Sequence, residues 1–152
     1  MKKIITYGTF DMFHIGHLLL LKRLSEMGDE LIVGVSTDEF NLLKGKKTLI
    51  PFDQRADIVA AIQYVDKVIP EENWEQKISD IQELDIDLFV IGDDWKGEFD
   101  YLSEYCEVNY LERTAGISTT MLKDSLRKIT NIDRNALMQA FDILENLKHD
   151  LL

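Results

Sequence analysis

The sequence is poor in cysteine, in positive charge and in long apolar runs. Its one cysteine, Cys106, cannot form an internal disulfide, and a reducing compartment is the simpler setting. Lysine and arginine number 17 against 28 aspartates and glutamates, a formal net charge of −11. That imbalance argues against a nucleic-acid polymer or an anionic membrane as partner, because both select a basic footprint. A small phosphorylated ligand stays open, since a local cluster of cations and amides can hold one. No stretch approaches the ~18 apolar residues of a membrane span. The apolar run at the N-terminus is too short for a signal peptide, and Asp11 interrupts it. A cytoplasmic protein is expected. The 152 residues, 45% hydrophobic and 30% charged, suit one globular domain with a real core, or one domain plus a short appendage.

Against that background the chain alternates apolar β-rich runs with helical patterns. Residues 3–7, 31–36, 66–70, 87–92 and 108–111 read as five buried strands. Helices are expected from Gly16 towards Gly28, from Pro51 through Val65, around Trp74 to Leu84, and from Thr119 onward. Residues 40–51 read as a loop carrying Lys44, Lys46 and Lys47, the densest positive cluster in the chain. Alternation of this kind predicts an α/β fold: a Rossmann-like, doubly wound parallel sheet of five strands with helices on both faces. The expected domain is residues 1–129. Residues 130–152 form a C-terminal helical extension, with Leu137, Phe141, Leu144, Leu147 and Leu151 on one side. That side either packs on the domain or meets a partner. In doubly wound sheets ligands gather outside the carboxyl ends of the strands. The segments 8–17, 37–47, 93–94 and 112–120 fall there.

The first of these holds His14-Ile15-Gly16-His17, after a strand and opening a helix. Three readings compete. Zinc needs three or four ligands, yet only His149 and Cys106 remain as further candidates, both distant in sequence. Plain helix-capping or core histidines are the second. An anion grip is the third and the favoured one: a helix start offers unpaired amides and a partial positive charge, and both imidazoles can donate to phosphate oxygens.

YGTFDMFHIGH resembles the first signature of the HxGH nucleotidyltransferase superfamily, and RTAGISTT, residues 113–120, resembles the second signature of its cytidylyltransferases. STDEFN, YVDKVIP, NWEQK and GDDW fall between them in the order of the branch acting on glycerol 3-phosphate. The resemblance covers roughly residues 2–128. The literal HIGH string also occurs in class I aminoacyl-tRNA synthetases, for which this chain is too short and too acidic.

The resemblance implies transfer of CMP from CTP to glycerol 3-phosphate, giving CDP-glycerol and pyrophosphate for a teichoic-acid or capsule-type polymer. It implies Mg²⁺ held mainly by the CTP phosphates and a homodimer. Carried over residue by residue, His14, His17, Lys44, Lys46 and Arg113 act catalytically. Thr9, Phe10, Ile15, Gly16, Lys46, Asp94, Arg113, Thr114, Ala115, Gly116, Ile117, Ser118, Thr119 and Thr120, with the two histidines, bind CTP. Lys44, Arg55 and Lys77 meet the acceptor, and Trp74 frames its pocket. Asp11 supports the site by orienting a histidine, capping the turn or helping place a metal. One departure concerns the acceptor: family members commonly carry arginine before YVD, where this chain has Gln63. Transfer to another small phosphate, adenylyl transfer from ATP, and a nucleotide-binding regulator without turnover are the competing functions.

Overall fold

The computed structural model describes residues 1–113, 118–130 and 134–150. The first compact unit, Met1–Ile117, is built on five parallel strands: β1 (Lys3–Gly8), β2 (Glu30–Ser36), β3 (Lys67–Glu71), β4 (Leu88–Gly92) and β5 (Glu107–Leu111). Their order is β3-β2-β1-β4-β5, and every pairing is parallel. Between them run α1 (Ile15–Ser25), α2 (Asp38–Leu43), α3 (Phe52–Ala60) and α4 (Gln76–Glu83). Two 3-10 turns, Asp93–Trp95 and Asp100–Glu104, link β4 to β5.

Period-two alternation divides β1 between two cores. Ile4 packs with Leu21 and Leu24 of α1 and Val59 of α3. Its neighbour Ile5 packs with Ile81 of α4, Phe89 and Leu102. The sheet therefore carries helices on both faces, the α/β Rossmann-like arrangement expected from the alternation. Strand order reverses at β1: the chain builds outward through β2 and β3, then returns to place β4 on β1's other side. The carboxyl ends of β1 and β4 thus flank the switch point where such sheets bind ligands.

Two elements differ from expectation. Residues 40–43, read as loop, belong to α2. Thr37 caps this helix by accepting from the Phe40 amide at 3.2 Å, and Asp38 and Glu39 fill its first turn. At six residues it shows no full apolar period. Conversely, α3 stops at Ala60 instead of running to Val65. Ile62, Tyr64 and Val65 still pack on the core from the following turns, so the apolar spacing outlasts the helix.

The second compact unit, Ser118–Leu152, contains α5 (Thr119–Thr130) and α6 (Arg134–Asp150). Its boundary lies upstream of the 129/130 division expected from sequence, so α5 groups with α6. Ser118 starts α5, its Oγ accepting from the Met121 amide at 3.1 Å. Leu137, Phe141, Leu144 and Leu147 of α6 are all exposed. No helix among the described residues is long and apolar enough to cross a membrane.

Candidate active site

His14 and His17 are bound to each other's backbone before any ligand is considered. His14 is the N-cap of α1, and its Nδ1 accepts from the Gly16 amide at 3.0 Å. His17, three residues on, accepts at Nδ1 from the His14 amide at 3.2 Å. This is a capping box in which histidines replace the usual hydroxyl and carboxylate residues. The rings stack at 3.9 Å between centroids. Because both Nδ1 atoms accept, the proton of each neutral ring sits on Nε2, which becomes a donor. Capping and anion binding are thus not rivals here, since the cap fixes the tautomer that a phosphate oxygen needs. The rings of Phe10 and Phe13 lie 5.4 and 5.3 Å from His17. Burial, aided by His14, pulls the His17 pKa down to about 4, and burial lowers that of His14. At neutral pH the ligand-free pair offers its Nε2 donors without positive charge.

The turn leading to the pair is tightly drawn. Phe10 and Met12 take left-handed backbone angles, φ 52° and 50°, uncommon for residues with side chains. A Cβ on Gly8 would meet the Phe10 ring at 2.8 Å, so glycine is what lets that ring fold back beneath the site. Ile15 is exposed and Gly16 buried. Thr9 donates to Asn41 Oδ1 at 3.0 Å.

Asp11 and Arg55 tie this turn to the lysine loop. Asp11 is 3% exposed, and its two carboxylate oxygens accept from the amides of Leu49 and Ile50 at 2.9 and 3.0 Å. Of the three roles open to Asp11, the turn-fixing one matches these bonds. Replacing it with alanine is expected to speed proteolytic cleavage within residues 44–50. Equal cleavage rates in the two proteins would show that the loop does not depend on it.

Arg55 is buried too, at 1% exposure. Its Nε donates to Ile50 O at 2.8 Å, one terminal nitrogen to Thr9 O at 2.6 Å and Ser36 O at 2.8 Å, and the other to Asp38 at 2.8 Å. Asp38 also accepts from Thr48 and the Phe52 amide. Its carboxyl pKa is lowered: burial opposes ionisation, but the Phe52, Arg55 and Thr48 bonds outweigh it. In this structure Arg55 gives hydrogen bonds to three carbonyls and a carboxylate, bracketing the loops around the site from within.

Lys44 and Lys77 do converge. They meet in a small pocket at the carboxyl side of the sheet, lined by Tyr7, Glu71, Trp74, Ile91, Trp95 and Phe99, with a cavity of about 30 Å³. Glu71 lies between the ammonium groups, its Oε1 at 3.6 Å from Lys44 Nζ and 3.7 Å from Lys77 Nζ. Lys44 also donates to Ser36 Oγ at 3.0 Å. Burial pulls both lysine pKa values down and pushes the Glu71 carboxyl up, and attraction among the three opposes each shift. Trp74 packs edge-on against Phe40 at 5.1 Å and beside Trp95 at 5.6 Å. It is at once packing and pocket wall. Lys46 is exposed on the same loop, following Gly45 with its left-handed φ of 72°. Arg113 and Asp94, both substantially exposed, form an ion pair.

A cytidylyltransferase-like family model matches residues 5–125. The chain belongs to this family. A glycerol-3-phosphate cytidylyltransferase of Bacillus spizizenii is 63% identical over 129 residues, which is 85% of this chain and 100% of the relative. One of Staphylococcus aureus is 56% identical over 126 residues, 83% of this chain and 96% of the relative. Among solved structures, the lipopolysaccharide core biosynthesis protein of Thermoplasma volcanium matches with a TM-score of 0.67 at 24% identity, covering 75% of this chain and 98% of that one. That last likeness speaks for the fold.

For a cytidylyltransferase, the structure gathers most of the expected residues on one side of the sheet: the histidine turn after β1, Lys44 and Lys46 after α2, and Asp94 with Arg113 after β4 and β5. Thr114, Ala115, Gly116 and Ile117 lie outside the described residues. Ser118, Thr119 and Thr120 stand at the start of α5 in the second unit. Gln63 is exposed after α3 and does not line the lysine pocket. Sequence reasoning missed Glu71, Tyr7, Trp95 and Phe99 as pocket residues. Glu71 was the findable one, because it ends β3 and carboxyl ends are where ligands gather. The three aromatics look like ordinary core in sequence.

Proposed function

We infer that this protein transfers CMP from CTP to glycerol 3-phosphate, releasing pyrophosphate and forming CDP-glycerol. The observation that carries the reading is the 63% match over the whole length of a relative named for this activity. An oxygen of the acceptor phosphate attacks the α-phosphorus of CTP. The bond from that phosphorus to the β-phosphate oxygen breaks, and pyrophosphate leaves with the electron pair. Such a transfer rests on positioning and on meeting charge where it develops. The Nε2 donors of His14 and His17, with the α1 amides, would meet the triphosphate, and Lys46 would add charge. Thr9 and Phe10 would shape that turn. Arg113 and Asp94 would exchange their mutual ion pair for contacts to the nucleotide, and residues 114–120 would supply further nucleotide contacts. Lys44 and Lys77 would hold the acceptor.

Magnesium belongs to this reading as MgCTP, neutralising the triphosphate and held by phosphate oxygens and water. A cytoplasmic setting and a homodimer complete the proposal, with the exposed apolar side of α6 as a surface for association. CDP-glycerol would feed a glycerol-phosphate polymer.

Pyrophosphate release with CTP, ATP, UTP and GTP against a panel of polyol phosphates tests the assignment. Turnover is expected with CTP and glycerol 3-phosphate. Activity restricted to ATP would overturn the cytidylyl reading, and CTP binding without turnover on any acceptor would point to a regulator.

A further inference from the structure

A fully buried asparagine sits where the histidine turn meets the lysine loop. Asn41 of α2 is 0% exposed, although asparagine is mostly a surface residue. Its side-chain amide bridges two chain segments. Nδ2 donates to Ser36 O at a long 3.5 Å, and Oδ1 accepts from the Thr9 hydroxyl at 3.0 Å. A carbonyl can only accept, so the amide nitrogen faces Ser36, the amide oxygen faces Thr9, and the Thr9 proton turns towards Asn41. The main chain is engaged too: Asn41 O accepts from the Lys46 amide at 2.8 Å. Asn41 thus reaches the turn of His14 and His17 through Thr9, and the loop of Lys46 through its own backbone. Arg55 holds the carbonyls of Thr9 and Ser36, whereas Asn41 holds the Thr9 side chain.

We propose that Asn41 is a positioning residue for the nucleotide: it ties the loop bearing Lys46 to the histidine turn, so that the Lys46 ammonium and the Nε2 donors of His14 and His17 address one triphosphate. The inference rests on the reading of that turn as the triphosphate site. Two physical points support it. Lys46 is exposed and follows Gly45, whose φ of 72° suits a sharp turn. A long side chain on such a turn brings its charge to a fixed point only if its backbone is held, and the bond from its amide runs to Asn41. The second point concerns cost. A leucine would fill a similar buried volume in α2 without an amide to desolvate, so a buried amide is favoured only by the partners it satisfies. Phosphoryl transfer depends on placement above all, and an error of about 1 Å can cost on the order of 10²-fold in rate.

A double-mutant cycle between Asn41→Leu and Lys46→Ala tests the role, read as the dissociation constant for MgCTP by titration calorimetry. In the wild-type background Lys46→Ala is expected to weaken binding about tenfold or more, the scale of one charge-assisted hydrogen bond. In the Asn41→Leu background it is expected to weaken binding by less than about threefold, because the ammonium is already displaced. Equal factors in the two backgrounds would overturn the proposal. Should Asn41→Leu not fold, Thr9 variants replace it. Thr9→Val removes the hydroxyl that binds Asn41 and is expected to shrink the Lys46 effect, while Thr9→Ser keeps the hydroxyl and the effect. A full Lys46 effect in Thr9→Val would overturn the proposal. Hydrogen exchange in the ligand-free proteins is a second readout. The Lys46 amide is expected to exchange about tenfold faster in Thr9→Val than in wild type or Thr9→Ser, and equal rates in all three would show that Asn41 does not tie the loop to the turn. Failure of the triphosphate reading looks different. Wild type and Lys46→Ala would then bind MgCTP equally, and the positioning role would fall with that reading. A normal Lys46 effect without coupling sinks the positioning role and spares the reading.

Discussion

Replacing His17 with glutamine is expected to lower kcat by roughly 10²–10³-fold, the usual cost of losing one donor aimed at developing charge, while leaving the fold intact at neutral pH. Glutamine is chosen because it is a natural third residue of a capping box. Its side-chain oxygen can take over the bond that Nδ1 accepts from the His14 amide, so the helix start survives, while its amide nitrogen, on a longer flexible chain, no longer holds a donor where the stacked imidazole kept Nε2. Steady-state kinetics with CTP and glycerol 3-phosphate measure the first effect, and thermal melts measure the second. An unchanged kcat would reduce His17 to a cap.

The same variant separates a pH effect. The folded pKa of His17, about 4, lies below the ordinary imidazole value near 6.5. Between those values the unfolded chain binds more protons than the folded one, so stability rises with pH across the window. The contribution is in place above about pH 6.5 and is lost as pH falls towards 4. The glutamine variant does not titrate there. Its melting temperature is therefore expected to fall less steeply than that of wild type between those two pH values.

Arg55→Ala is expected to cost stability, by about 1–3 kcal/mol for each buried carbonyl left without its donor. The loss would come chiefly from the buried carbonyl of Ser36, and to a smaller degree from the part-buried carbonyls of Thr9 and Ile50. Asp38, with a 41% exposed side chain, regains water and adds little. Lysine should rescue poorly, since one ammonium cannot reproduce the planar fork that spans the partners. Urea unfolding measures the effect. A normal urea midpoint combined with a raised KM for the acceptor would instead restore Arg55 to the ligand.

Arg55 also illustrates what sequence reading leaves out. Arginine near a phosphate-binding motif looks like a phosphate ligand, because sequence carries residue type and spacing but no account of which acceptors are already nearby. Three carbonyls from segments far apart in the chain decide its role. Lys77 presents the converse case. The expectation that it meets the acceptor is compatible with the fold, but its enclosure by Tyr7, Trp74 and Phe99 has no local signal. Those rings come from β1, from the segment before α4 and from the turns after β4.

Sequence by itself determined the sheet and the histidine turn that opens α1. Strands buried on both faces are continuous apolar runs, their alternation with helical patterns requires crossovers, and the strand–glycine–helix context of His14 and His17 is local chemistry that any observer of the chain can read. The second signature, residues 113–120, then specified the nucleotide by resemblance. Only the tertiary structure decided what the side chains do with one another. It turned the histidines into a reciprocal cap that fixes their protons on Nε2. It committed Asp11 and Arg55 to holding loops, and it put Glu71 between two lysines beside a cluster of aromatic rings. Those outcomes depend on hydrogen-bond partners and burial supplied by residues tens of positions away, and chain folding alone brings them together.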